Sequence, residues 1–150
     1  PAGRRAIPVE EFHVPPWEDP RSETVLKPGE LIVRIEVPPP APALRSSYRK
    51  VRARRAWDFA LAGVALALEM EGDRVAGGRV VLSGAAPVPW RSFPAEEAIQ
   101  SRRLDAAVIE EAAAAAVSEA DPLPQNQYKI DLFRGVIKEE LAAIHDRAAS

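Results

Sequence analysis

The residues of this chain best suited to chemistry are the cations between positions 45 and 55: Arg45, Arg49, Lys50, Arg52, Arg54 and Arg55. Guanidinium and ammonium groups at that density offer charge-assisted hydrogen bonds to a phosphate or another anion. The same residues also suit a solvated edge strand, where arginine and lysine discourage pairing with foreign strands. Both readings stand at this point, and the solvated edge asks for less. Stacking aromatics interleave poorly with the cations, so no platform for single-stranded nucleic acid is implied.

The remaining reactive residue types do not assemble. His13 and His145 are far apart, and neither has neighbours at metal-ligand spacing. Both read as structural or solvated, with His145 near a helix C-terminus that mildly favours a cation. The pairs Glu10-Glu11, Glu96-Glu97 and Glu139-Glu140 are adjacent in sequence, which on a helix keeps them from converging on one site. There is no cysteine, so no disulfide, zinc-thiolate site or iron–sulfur cluster can be built from this chain alone. Glycine-rich phosphate loops, nucleophile elbows and HExxH helices do not occur. No catalytic and no metal-binding residue is assigned. A net charge of −2 implies neither a nucleic-acid nor a membrane-surface partner.

The elements that must position the basic cluster run from Tyr48 to Trp90. A polar turn, Glu71-Gly72-Asp73, separates two apolar runs. In the first, Val64, Leu66 and Leu68 alternate with Gly63, Ala65 and Ala67. Alanine and leucine favour helix, but this large/small alternation has the period of a strand buried on both faces. Glu-Gly-Asp supplies the dihedrals of a hairpin turn. The reading is therefore a hairpin, with strands over 48–56, 59–70 and 74–86. Gly77-Gly78 falls in a turn or bulge and receives no ligand.

Before this core, residues 1–30 are rich in proline and read as an extended arm, the least ordered part of the chain. The first residues, PAGRRAIPVEEF, read as the interior of something longer, so a fragment or processed product is expected. LIVRIEV, over 31–37, has the clearest strand alternation, and Pro38-Pro39-Pro40 ends it. After Trp90 the pattern turns helical, with helices expected over 95–100, 105–119 and 126–146. The last carries an apolar stripe of Ile130, Phe133, Ile137, Leu141 and Ile144. Strands followed by helices argue an α+β fold: a three- to four-stranded antiparallel sheet with three helices packed on one face. With 150 residues the chain is long enough for one domain with a real core. No apolar stretch is long and clean enough to span a bilayer.

Four segments in series carry a resemblance: PGELIVRIEVP, YRKVRARRAWDFA, VVLSGAAPVPWRSFPAEEAI and NQYKIDLFRGVIKEEL. In this order and spacing they resemble the C-terminal domain of the FAD-binding medium subunit of the molybdenum hydroxylases, the family of xanthine dehydrogenase, carbon monoxide dehydrogenase and aldehyde oxidoreductase. The resemblance implies that 1–30 is the tail of a preceding FAD-binding domain and that 31–150 is the flavoprotein C-terminal domain. It implies FAD as cofactor, with Lys50 near the flavin ring and Ile32 beside it. Asp58 matches an acid of several relatives, and a structural role, pairing with Arg54 or Arg55, is expected for it. The two glycine-rich loops that hold the pyrophosphate in this family are not in the sequence, so the chain alone is expected to be inactive. The implied partners are a molybdenum-binding large subunit and an iron–sulfur small subunit, in the cytoplasm. The implied mechanism relays electrons from molybdenum through iron–sulfur clusters to FAD, then to NAD or another acceptor. The competing reading is a non-catalytic interaction module whose basic strand docks an acidic partner.

Overall fold

The computed structural model describes residues 3–148. Its centre is the hairpin of β2 (Ala62–Glu71) and β3 (Arg74–Ser83), flanked by β1 (Leu44–Val51) and the two-residue β4 (Trp90–Arg91). The sheet order is β1-β2-β3-β4, and every pairing is antiparallel. Gly72, at φ 61, supplies the positive dihedral a two-residue hairpin turn needs at its first position. The strand reading of the alanine/leucine run thus holds. Ala62, Val64, Leu66 and Leu68 are all buried, while Ala65 and Ala67 on the alternate face are half-covered. Near the turn, Glu69 pairs with Gly77 but Met70 with Val75, so the register shifts by one residue beside Gly77-Gly78. A Cβ on Gly78 would lie 2.5 Å from Leu68 Cδ2, which explains a glycine there.

Three helices follow: α1 (Phe93–Ile99), α2 (Ala106–Ala115) and α3 (Tyr128–Ala148). Ser92 caps α1 by accepting the Ala95 N–H, and Asp105 caps α2 by accepting the Val108 N–H at 2.9 Å. In its first turn Glu96 takes both the Arg91 guanidinium fork, at 2.8 and 2.7 Å, and the Val80 backbone N–H at 3.0 Å. That one carboxylate ties α1 to β3 and β4. α2 ends four residues earlier than expected. Val117 and Ser118 donate to carbonyls three residues back, tightening the chain before Asp121-Pro122. Along α3, Phe133, Ile137, Leu141 and Ile144 are buried as the stripe requires, joined by Val136. α3 packs on β1 and β2, α1 packs on β3, and α2 packs on the other two helices. All three therefore lie on one side of the sheet, as expected.

The N-terminal region differs from expectation in two ways. The arm carries its own hydrogen-bonded frame. Arg5 grips Glu30 through both carboxylate oxygens, at 3.1 and 2.6 Å, and His13 and Thr24 form a bridge flanked by Val14 N–H to Glu23 O and Val25 N–H to Phe12 O. Trp17 meets Trp90 edge to face, with ring centroids 6.4 Å apart, so the arm reaches the β4 edge. The second difference is a correction: 31–37 is not a strand. Leu31, Val33, Ile35 and Val37 are exposed, and Arg34 pairs with Glu36 on the same side. Alternation records that a segment is shaped for a ladder. It does not supply the partner, and the prolines at 38–40 have no N–H to extend a ladder toward β1.

Candidate functional site

β1 splits the basic cluster between the two faces of the sheet. Arg49 points to the helical side, where its guanidinium lies 2.9 Å from Glu139 and 3.7 Å from Glu140 on α3. This corrects the expectation that these two carboxylates do not converge. They approach one cation because it comes from the strand beneath the helix, and Glu140 is itself buried. Arg49 is thus a clamp between layers.

Lys50, the next residue, faces the other way. It pairs in register with Gly63, which pairs with Ser83 on β3. A Cβ on Gly63 would fall 2.2 Å from Ser83 Oγ, so only glycine leaves this row undisturbed. The face around it is low: Gly63, Ala65 and Ala67 run down the centre, with Ser46, Tyr48 and Lys50 on one flank and Arg79, Val81 and Ser83 on the other. Tyr48 is 63% exposed. Among the described residues the Lys50 ammonium has neither a hydrogen-bond acceptor nor a carboxylate partner. Ile32 lies in the unpaired 31–37 segment, half-exposed and outside the buried cluster, in a different part of the chain from Lys50.

Beyond β1, residues 52–61 form the loop to β2. Asp58 accepts the Arg54 backbone N–H at 3.2 Å, and the Arg54 guanidinium donates to the Trp57 carbonyl at 2.7 Å. Asp58 therefore has the structural role expected, through the Arg54 main chain and not its side chain. Sequence reasoning missed Tyr48 and Trp57. The signal for Tyr48 was available, since it stands two residues before Lys50 and so shares its face.

Among the described residues no cluster of histidine, aspartate and glutamate could hold a metal ion. No described helix is long and apolar enough to cross a membrane. Among the described residues this face offers two free cations, Lys50 and Arg79, one exposed aromatic ring, Tyr48, and a central row of small residues. It suits a flat, electron-rich or anionic group held by stacking and charge. It has no nucleophile with an adjacent base.

Residues 46–142 match the family model described as CO dehydrogenase flavoprotein C-terminal domain. The aldehyde oxidoreductase FAD-binding subunit PaoB of Escherichia coli is 36% identical over 149 residues, covering 99% of this chain and 43% of that protein. The carbon monoxide dehydrogenase medium chain of Hydrogenophaga pseudoflava is 27% identical, covering 99% of this chain and 51% of its own length. A solved structure of carbon monoxide dehydrogenase from the same organism, lacking the Mo-pyranopterin moiety of its cofactor, superposes with a TM-score of 0.84 at 28% identity, over 98% of this chain and 50% of that one. The chain spans about half the length of these relatives.

Proposed function

The chain belongs to the CO dehydrogenase flavoprotein C-terminal domain family, and from that premise we propose that it is the part of an oxidoreductase's FAD-binding subunit that covers the flavin ring. The observation that carries this is the sheet face of β1: an unpartnered Lys50 beside a central row, Gly63, Ala65 and Ala67, that carries only small side chains. The residues present fit one end of FAD and not the other. Lys50 and Tyr48 offer a cation and a ring face to a flat heterocycle. No glycine-rich loop is present to converge backbone N–H groups on a pyrophosphate. Ile32 joins this surface in our reading on the resemblance of its segment to the family, and not on a contact with Lys50.

When bound, FAD supplies two-electron chemistry and passes electrons onward. In the complete enzyme these arrive from a molybdenum-binding large subunit by way of iron–sulfur clusters on a small subunit, and leave to NAD or another acceptor, in the cytoplasm. This chain's own contribution is electrostatic. A cation fixed beside the ring favours the negative charge that reduction places there, and a pre-oriented ammonium does so without reorganisation. The domain boundaries follow the same reading, with 1–30 as the tail of the FAD-binding domain and 31–150 as the C-terminal domain.

A redox titration of the complete subunit carrying Lys50→Ala tests the assignment, paired with calorimetry of FAD against the 150-residue chain. The flavin midpoint potential falls while the cofactor stays bound, and the isolated chain shows no micromolar affinity for FAD. An unchanged potential removes Lys50 from the ring. Micromolar binding by the chain alone shows that it carries a phosphate site of its own.

A further inference from the structure

Three polar side-chain atoms are buried without a hydrogen-bond partner among the described residues: Ser47 Oγ, Ser83 Oγ and Arg134 Nε. Such groups are uncommon, because a buried donor or acceptor left unmade gives up its water and gains nothing in exchange. Arg134 meets Glu110 through Nη2, and Ser47 pairs in register with the buried Leu66 on the helical side. Ser83 alone of the three stands on the face that carries Lys50.

Lys50, Gly63 and Ser83 form one cross-strand row. Glycine puts no side chain between the other two, and the serine leans into that space: Ser83 Oγ lies 2.2 Å from where a Cβ on Gly63 would be. The hydroxyl therefore stands over β2, roughly 5 Å from the Lys50 Cβ by the usual spacing of cross-strand pairs. The four-carbon lysine stem spans such a distance. Each end of the row lacks what the other has. The Lys50 ammonium carries donors and no acceptor, and Ser83 Oγ has lone pairs that receive no donor among the described residues.

We propose that Ser83 is a positioning residue for Lys50: its hydroxyl accepts the ammonium across Gly63 once a flat ring lies over the row. The inference rests on the flavin reading. In the bare chain, water solvates the ammonium. A ring that excludes water removes those acceptors, and a desolvated ammonium needs another. Serine suits this task better than an acid would. A neutral oxygen fixes the direction of the charge without cancelling it, so the charge still acts on the reduced ring. The bond also holds a long, flexible side chain in one arrangement before the ring gains electrons, so no reorganisation is needed at that step. A side chain at position 63 would stand between the two groups, which gives the glycine a second reason to be there.

The test uses the complete subunit with FAD bound. In redox titrations Lys50→Ala lowers the flavin midpoint potential and Ser83→Ala lowers it by less. The double variant matches Lys50→Ala, because without the ammonium the hydroxyl has nothing to seat. Ser83→Cys keeps the bulk over Gly63 but offers only a weak acceptor, and it follows Ser83→Ala. A second readout needs no electron transfer. Lysine-selective 15N spectra of the oxidised subunit follow exchange of the Lys50 ammonium hydrogens with water. That exchange is about tenfold faster in Ser83→Ala than in the wild type, as loss of one charge-assisted hydrogen bond implies. The proposal is overturned if Lys50→Ala shifts the potential and Ser83→Ala does not, or if the two shifts add in the double variant. It is also overturned if Ser83→Cys behaves as the wild type, since the serine then only fills space, or if the exchange rate is unchanged in Ser83→Ala. A potential that Lys50→Ala itself leaves unmoved sinks the flavin reading, and the proposal with it.

Discussion

Gly63→Ala tests the geometry of the central row directly. The new Cβ lies 2.2 Å from Ser83 Oγ, 3.4 Å from the Arg49 carbonyl oxygen and 3.5 Å from Ser83 Cβ. Only the first distance is impossible, and the atom involved is a hydroxyl that is buried without a hydrogen-bond partner among the described residues. Overpacking of this kind costs about 1–3 kcal/mol. Because Gly63 is not at positive φ, alanine there also restricts the unfolded chain, a gain of about 0.4–1 kcal/mol. The single substitution should therefore lose about 1–2 kcal/mol. Ser83→Ala removes an unsatisfied hydroxyl and should be neutral or mildly stabilising. With Ser83→Ala already in place, the Gly63→Ala step should change sign and become a gain of about 0.4–1 kcal/mol. Urea titrations of the four proteins, followed by far-ultraviolet circular dichroism, give the coupling energy. Additivity within ~0.3–0.5 kcal/mol, the figure for independent sites, would refute the register that places Ser83 over Gly63.

Phe133→Ala should cost about 3–5 kcal/mol in a denaturant titration, since Phe133 is buried in the middle of the α3 stripe and its loss leaves a cavity. A loss below ~1 kcal/mol would mean that the stripe does not face the core. The second test is pH. Glu110 on α2 accepts Lys138 Nζ at 2.9 Å and Arg134 Nη2 at 2.8 Å on α3, which hold its carboxyl below the ordinary glutamate value. A folded value depressed below the unfolded one gives stability that is present above the unfolded value and lost as pH falls through the folded one. Carbon-detected titration of Glu110 should show the lowered midpoint, and Glu110→Gln should remove that share of the acid-side loss. A midpoint at the ordinary value would show that the α2–α3 tie does not form in solution.

The central hairpin was legible because two signals agreed: the large/small alternation from Gly63 to Leu68, and a glycine where the turn needs positive φ. The α3 stripe was legible because Phe133, Ile137, Leu141 and Ile144 repeat at the helical period. β4 was not, since two residues are too few to carry a period; Trp90 and Arg91 are a strand only because β3 pairs with them. The same dependence on a partner misled the reading of 31–37, whose alternation is better than that of β1. The arm's closure by Arg5 and Glu30 spans 25 residues, beyond any local rule. At the candidate site, resemblance selected Lys50, while Tyr48 went unread although its spacing of two puts it on the same face. Nothing local identified Gly63 and Ser83 as its neighbours, because that row depends on the register of three strands.

The basic cluster shows why a run of like charge is not one feature. A strand sends successive side chains to opposite faces, so Arg49 and Lys50 cannot share a task. Arg49 meets the two α3 carboxylates and joins the layers, and Lys50 has only the open face. Once the strand ends, the rule lapses and each arginine answers to its loop: Arg54 braces Trp57, while Arg52 and Arg55 are left to solvent. Three environments within seven residues therefore imply three different outcomes of charge removal. Losing Arg49 leaves a buried Glu140 without its cation, which is a stability defect. Lys50 has no acceptor or carboxylate partner among the described residues, so its loss leaves the fold intact and acts on whatever binds there. Arg52 and Arg55 lie in the loop beyond β1 without a carboxylate partner among the described residues, so their loss changes surface charge and leaves the fold intact. Reading the cluster as a single anion site would assign one phenotype to all of them. The alternation of β1 requires that they differ.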